Sequence, residues 1–220
     1  MAAATAPALP AGLLVDVQRS LEALYALPAE APVTDFVIPE EQAERLPGGG
    51  SRTLVAQEGE WVSVGVVFEK GLGSSLADDP RVRLGSHNLG AFSTVTEEVS
   101  HFLYVLYCAR ADRSTTELEL ELQGEIDKYL TAAFFLSLQN EGALSLTLRT
   151  RMFQEYRLAD GLSAEQEERY RAASALAFRY CGYLEQRYLR AARLSDLARE
   201  ARRFYRLGRG QKLERIAAIS

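Results

Sequence analysis

From Val95 to Ala109 the chain is apolar on nearly every side, yet this stretch carries Glu98 and His101. A helix that is apolar all round is stable only in the middle of a core, so other segments must wrap it. An ionisable side chain on such a helix must be paired, hydrogen-bonded or bound to a ligand, because burying it otherwise costs several kcal/mol (order of magnitude). These two demands shape both the fold and the candidate site.

The cover is legible nearby. Thr94 with Glu97 matches a capping box that would start the apolar helix, and Ser114 with Glu117 matches another. The second helix is expected to run to about Gln139 and stop at Asn140-Glu141-Gly142. Residues 117 to 122 alternate Glu and Leu, as a strand would, but both residue types favour helix and an apolar run at 132–136 continues it. Ser163 with Gln166 opens a third helix with the stripe Tyr170, Ala173, Ala177, Tyr180, Leu184 and Tyr188. Ser195 or Asp196 caps a fourth that ends near Gly208. Leu13, Leu14, Val17, Leu21 and Leu24 predict a short helix over 11–27, and the mixed stretch 144–158 reads as helix.

The period changes between Arg52 and Glu69. Val62, Val64, Val66 and Phe68 alternate with Trp61, Ser63, Gly65 and Val67 beyond the Glu58-Gly59-Glu60 turn, a hairpin pattern. The expected class is α+β, predominantly α: a helical core of four or five helices over 94–220, one small β-hairpin over 52–69, and a flexible tail over 1–10, in one domain of 220 residues. Composition is that of a folded chain, with 47% apolar and 25% charged residues. No apolar run approaches the roughly 18 residues of a membrane span. Cys108 and Cys181 form no disulfide framework, and the start lacks the basic and apolar regions of a secretory signal. A cytoplasmic location is expected.

Glu98 and His101, three apart, share a helix face, as do Glu121 and Glu125, four apart on the next helix. The short connection Arg110–Arg113 makes the two helices antiparallel neighbours, which brings Glu121 near His101 or Tyr104. Three chemistries suit such a cluster. One is a divalent metal site for iron, manganese or zinc. Another is acid/base catalysis by a buried Glu of raised pKa working with His101. The third is structural, with Glu98 at the positive end of its helix, His101 hydrogen-bonded in the core, and Glu121 or Glu125 paired with Lys128 or an arginine. The Glu-x-x-His spacing resembles half of the ferritin-like di-iron pattern. That resemblance covers Glu98, His101 and Glu121 or Glu125 alone. The full pattern has two such motifs, and the other histidine, His87, lies in none.

Charge marks a second region. Residues 1–148 carry 9 basic and 21 acidic side chains, whereas residues 187–220 carry 10 and 3. Arg199, Arg202, Arg203 and Arg206 recur at helical spacing and gather four guanidinium groups on one face, suited to carboxylates or phosphates. Tyr205 beside them offers a ring for stacking on a base. The net charge of −5 makes nucleic acid a poorer partner than an acidic protein surface. No Gly-x-Ser-x-Gly, Cys-x-x-Cys or His-Glu-x-x-His motif occurs. These patterns favour a noncatalytic intracellular regulatory or interaction module that engages an acidic partner through the arginine face. The alternative is an enzyme or metal-binding protein using Glu98, His101, Glu121 and Glu125, and the sequence leaves enzymatic activity open.

Overall fold

A computed structural model describes residues 9–29, 31–59, 61–145, 147–155 and 161–219. In chain order it contains α1 (Ala11–Tyr25), a 3₁₀ turn (Val33–Phe36), α2 (Glu40–Ala43), β1 (Arg52–Glu58) and β2 (Trp61–Val67). A second 3₁₀ turn (Leu72–Leu76) leads to α3 (Leu89–Arg110), α4 (Glu117–Gln139), α5 (Leu148–Phe153) and α6 (Ala164–Leu184). After one π-helical turn (Glu185–Leu189), α7 (Leu194–Tyr205) and α8 (Arg209–Ala217) complete the chain. The expected class is found: predominantly helical with one antiparallel hairpin, and five of the helices exceed ten residues. Among the described residues no helix is long and apolar enough to cross a membrane. Most of the expected tail, together with Leu146, Tyr156 and Leu158, lies outside the described residues.

α3 is the central helix its sequence demands. Phe92, Val95, Val99, Phe102 and Tyr104 are fully buried, and α4 packs between α3 and α6. Leu122, Ile126, Tyr129 and Ala132 of α4 meet Ala173, Ala177, Tyr180 and Leu184 of α6 in the same core. Each large side chain so buried contributes about 1.5–3 kcal/mol. α1 lies across α3 and reaches α7, burying Leu13, Leu14, Val17 and Leu21.

Several helix boundaries differ from those expected. α3 begins at Leu89, so Thr94 is no cap; it lies within the helix and its hydroxyl donates to the Gly90 carbonyl. The cap of α4 is Thr116 rather than Ser114, and it accepts from the Glu119 N–H. The Ser163–Gln166 capping box is present as read, as is the stop after Gln139, where Glu141 and Gly142 both have positive φ. The fourth helix begins at Leu194 without a side-chain cap and ends at Tyr205, and α8 follows it. The helix expected over 144–158 is reduced to α5.

The hairpin pairs Arg52 with Val67 at one end and Glu58 with Trp61 at the other. Its base rests on α3 through buried Val66. Its tip stands clear, leaving Trp61 82% and Val55 50% exposed.

Candidate metal centre between α3 and α4

His101 faces α4 with both ring nitrogens near carboxylates. Nε2 is 3.9 Å from Glu121 Oε2, and Nδ1 is 3.9 Å from Glu98 Oε2. Neither separation is a hydrogen bond. Among the described residues no group meets hydrogen-bond geometry with His101 Nε2 or Glu121 Oε2, although both atoms are buried and the Leu120 carbonyl lies near enough to the imidazole to act on it. Orphaned buried polar atoms are rare in folded proteins and each calls for a cause. Here two of them face one another.

Glu97, one turn before His101 on α3, completes the group. Among the described residues, Glu97, His101 and Glu121 form a set whose nitrogen and carboxylate ligand atoms all lie within 4.8 Å of one another. Gly124 makes the space for the imidazole: a Cβ there would stand 2.9 Å from His101 Nε2. In the sequence Glu97 mimics the last residue of a capping box begun by Thr94, and its i, i+4 spacing to His101 is the signal that points to the site.

The other expected residues flank this set. Glu98 accepts a 2.8 Å hydrogen bond from Thr53 of β1, so the hairpin holds it against Nδ1. It lies more than two turns into α3 and gains nothing from the positive end of the helix, contrary to the structural reading of the sequence. Glu125 accepts from Lys128 Nζ at 2.8 Å, the expected pairing, and Lys128 also lies 3.2 Å from Glu97 Oε2.

The four carboxyl groups lie in a poorly hydrated space with the Lys128 ammonium among them and the Arg169 guanidinium acting on Glu121, and burial is the first influence on each. Burial, reinforced by the charge of Glu97, pushes Glu98 and Glu121 up to about 8. Burial also raises Glu125 against the pull of Lys128. Glu97 is half-buried, and Lys128 and His101 more than offset its partial burial and lower it. Burial holds the His101 imidazole neutral, down to about 4, and Lys128 stays protonated between its carboxylates. A neutral imidazole beside the unpartnered Glu121 Oε2 and the Glu97 carboxylate, which has Lys128 on its other side, offers the donor types that a divalent ion takes. Ideal tetrahedral ligands at about 2.1 Å from an ion stand roughly 3.4 Å apart, so the 3.9 Å pair needs about half an ångström of adjustment, and a pair at the 4.8 Å limit of the set about 1.4 Å.

A second buried polar network lies further along the same two helices. Lys212 of α8 is 0% exposed; its Nζ donates to Tyr104 and to Gln123 Oε1, both at 2.8 Å. Tyr104 donates to Glu119 at 2.5 Å, and Arg113 donates to both Tyr104 and Glu119. On the other side Gln123 donates to Asp127, which also accepts from Ser100 and from Tyr25 of α1. Burial lowers Lys212 to about 7 and raises Asp127 to about 6, the latter against its three hydrogen bonds. Apart from Arg113 Nε, which is buried without an acceptor among the described residues, protein groups satisfy this network, and it ties α1, α3, α4 and α8 together. Nothing local in the sequence separates Lys212 from the other basic residues of the C-terminal segment.

The four arginines do not all present themselves to solvent as a common face. Arg202 donates to the carbonyls of Leu24 and Ala23, and Arg206 to that of Tyr25, so both satisfy the C-terminal end of α1. Arg199 is exposed and paired with Asp196, and Arg203 is exposed. Tyr205, the expected stacking ring, is buried and stacks on Tyr25 with centroids 4.1 Å apart.

No family description, curated protein or solved structure matches the chain.

Proposed function

We propose that this chain is a metal-binding protein that holds one divalent transition ion between α3 and α4, on His101 Nε2 and the carboxylates of Glu97 and Glu121. One observation carries the reading: His101 Nε2 and Glu121 Oε2, buried and unpartnered, face each other at 3.9 Å with the Glu97 carboxylate beside them. One nitrogen and two carboxylate oxygens suit iron, manganese or zinc. Three protein ligands leave a coordination position for water or substrate, where such an ion acts as a Lewis acid. Glu98, held by Thr53, stands 3.9 Å from Nδ1 on the other side of the ring, the place that an outer-shell partner takes in metal sites.

Binding of an acidic partner through Arg199, Arg202, Arg203 and Arg206 has less behind it, because Arg202 and Arg206 serve the end of α1. Regulatory or partner-binding use of this face therefore rests on Arg199 and Arg203.

The test is titration of chelator-treated protein with Zn²⁺, Mn²⁺ and, anaerobically, Fe²⁺ by calorimetry. One ion per chain is expected for at least one of these metals, with binding abolished in the Glu97→Gln, Glu121→Gln double variant. Saturable binding that survives in that variant would place the ion elsewhere, and no saturable binding of any of the three would defeat the reading. Gly124→Ala gives a sharper geometric check. On an α-helix interior Gly→Ala ordinarily stabilises by about 1 kcal/mol. Here the added methyl displaces the imidazole, and metal affinity is expected to fall about 10–100-fold, the size of an outer-shell defect.

A further inference from the structure

β1 has one free edge. Its partner strand β2 is covered on its far side, where the Ile38 N–H donates to the Val66 carbonyl at 2.8 Å. That bond also fixes the phase of the hairpin. The Val66 carbonyl faces away from β1, so Thr53 and Val66 are a non-hydrogen-bonded pair, and by alternation so are Val55/Val64 and Gln57/Val62. Thr53, Val55 and Gln57 therefore turn their backbone N–H and C=O groups outward. Among the described residues no backbone partner takes them. A two-stranded sheet is marginal by itself, and an exposed edge of seven residues with a half-exposed valine at its centre is a template for another strand.

The sequence of that edge, Arg-Thr-Leu-Val-Ala-Gln-Glu, is complementary to itself when reversed. We propose that two copies of this chain pair through β1, antiparallel and two-fold about Val55, to form a four-stranded sheet. In this register Val55 meets Val55, Thr53 meets Gln57, and the outward backbone groups at all three positions bond. Arg52 of each chain then stands opposite Glu58 of the other. Within its own chain one Arg52 Nη donates to the Gly50 carbonyl at 2.8 Å, and the partner's Glu58 carboxylate offers the guanidinium a charged acceptor once it turns from that loop toward the edge. The arrangement is isologous and closes on itself, so it gives a dimer rather than a fibre. The edge offers fewer residues than a tight interface of 20–30 per side, so the dimer is expected to dissociate in the micromolar range.

Sedimentation equilibrium of the full chain up to roughly 100 µM tests this, well above a micromolar Kd. A reversible species of twice the 24.3 kDa chain mass is expected. Arg52→Glu and Glu58→Arg, each alone, place like charges opposite one another twice per dimer and are expected to weaken it about 10-fold. The Arg52→Glu, Glu58→Arg double variant restores opposite charges and is expected to return to the wild-type constant. Val55→Cys, which leaves both charges intact, is expected to form an intermolecular disulfide on mild oxidation, since Cys108 and Cys181 are buried. A wild-type monomer throughout the range overturns the proposal, whatever other strand the edge then receives. A dimer indifferent to single charge reversal, or a double variant no better than the singles, overturns the register and with it the proposal.

Discussion

Replacing Lys212 with methionine is expected to destabilise the fold by about 3–5 kcal/mol, the usual cost of removing one partner from a buried charged network. A lysine among ten basic side chains in the last 34 residues looks exchangeable, and a surface substitution would stay within about 0.5 kcal/mol. Its surroundings say otherwise. The ammonium lies 4.4 Å from the Tyr104 ring centre and 5.2 Å from that of Phe204, and donates to Tyr104 and Gln123. Methionine keeps most of the volume but leaves Gln123 Oε1 without its donor and Asp127 and Glu119 without that cation. Urea denaturation of both proteins measures the difference.

The same pair should show a pH signature. Lys212 is lowered from its ordinary value to about 7, so between pH 7 and 10.5 the unfolded chain holds a proton that the folded chain has lost. The penalty of carrying the buried charge is fully present below pH 7 and is relieved as pH rises toward 10.5. Glu119, Asp127, Arg113, Cys108 and Tyr104 face the ammonium. Asp127 acts in the same direction, because without Lys212 its ionisation is harder still. The stability gap between wild type and Lys212→Met is therefore expected to widen between pH 7 and 10, with the Lys212 proton contributing at most about 1.4 kcal/mol per pH unit. A gap that stays constant or narrows would mean that Lys212 is not buried as described.

His101→Ala is expected to abolish metal-induced stabilisation while leaving the chain folded. At a free ion concentration about 100 times Kd, binding to the folded state alone adds about 2.7 kcal/mol. For a chain of this length that raises Tm by about 5–10 °C. Outer-shell defects alone cost about 10–100-fold in affinity, so loss of the imidazole itself should cost at least that. Without metal the same substitution should cost only about 1–2 kcal/mol. A cavity opens, but a buried nitrogen with no hydrogen-bond partner disappears with it. A purely structural histidine gives the opposite pattern: no metal shift in wild type and a larger loss in the variant.

The parts of this fold that the sequence announces are those governed by local physics. The all-round apolar run on α3, the Ser163–Gln166 cap and the stop after Gln139 each depend on neighbours within a few residues. The hairpin was legible for the same reason, since its turn and alternation lie within 16 residues of chain. Half of the candidate site was legible too. Glu121 meets His101 because a short connection makes α3 and α4 antiparallel, which spacing alone implies. Glu97 is obscured because α3 begins at Leu89, well before the Thr94 cap that the sequence suggests, so an inward-facing carboxylate mimics a capping residue. What stayed hidden depends on contacts across 80 or more residues. Lys212 reaches Tyr104 across 108 positions, and Arg202 reaches the end of α1 across 178. No local pattern separates those basic side chains from the solvated arginines beside them.

The most direct measurement is anomalous X-ray diffraction from crystals soaked with the ion that binds in solution, recorded on both sides of its absorption edge. The account predicts one peak bounded by His101 Nε2 and the carboxylates of Glu97 and Glu121, with ligand distances near 2.0–2.2 Å, as zinc gives (about; iron and manganese similar). A peak only at the exposed His87–Asp78 pair, or none between α3 and α4, would contradict it.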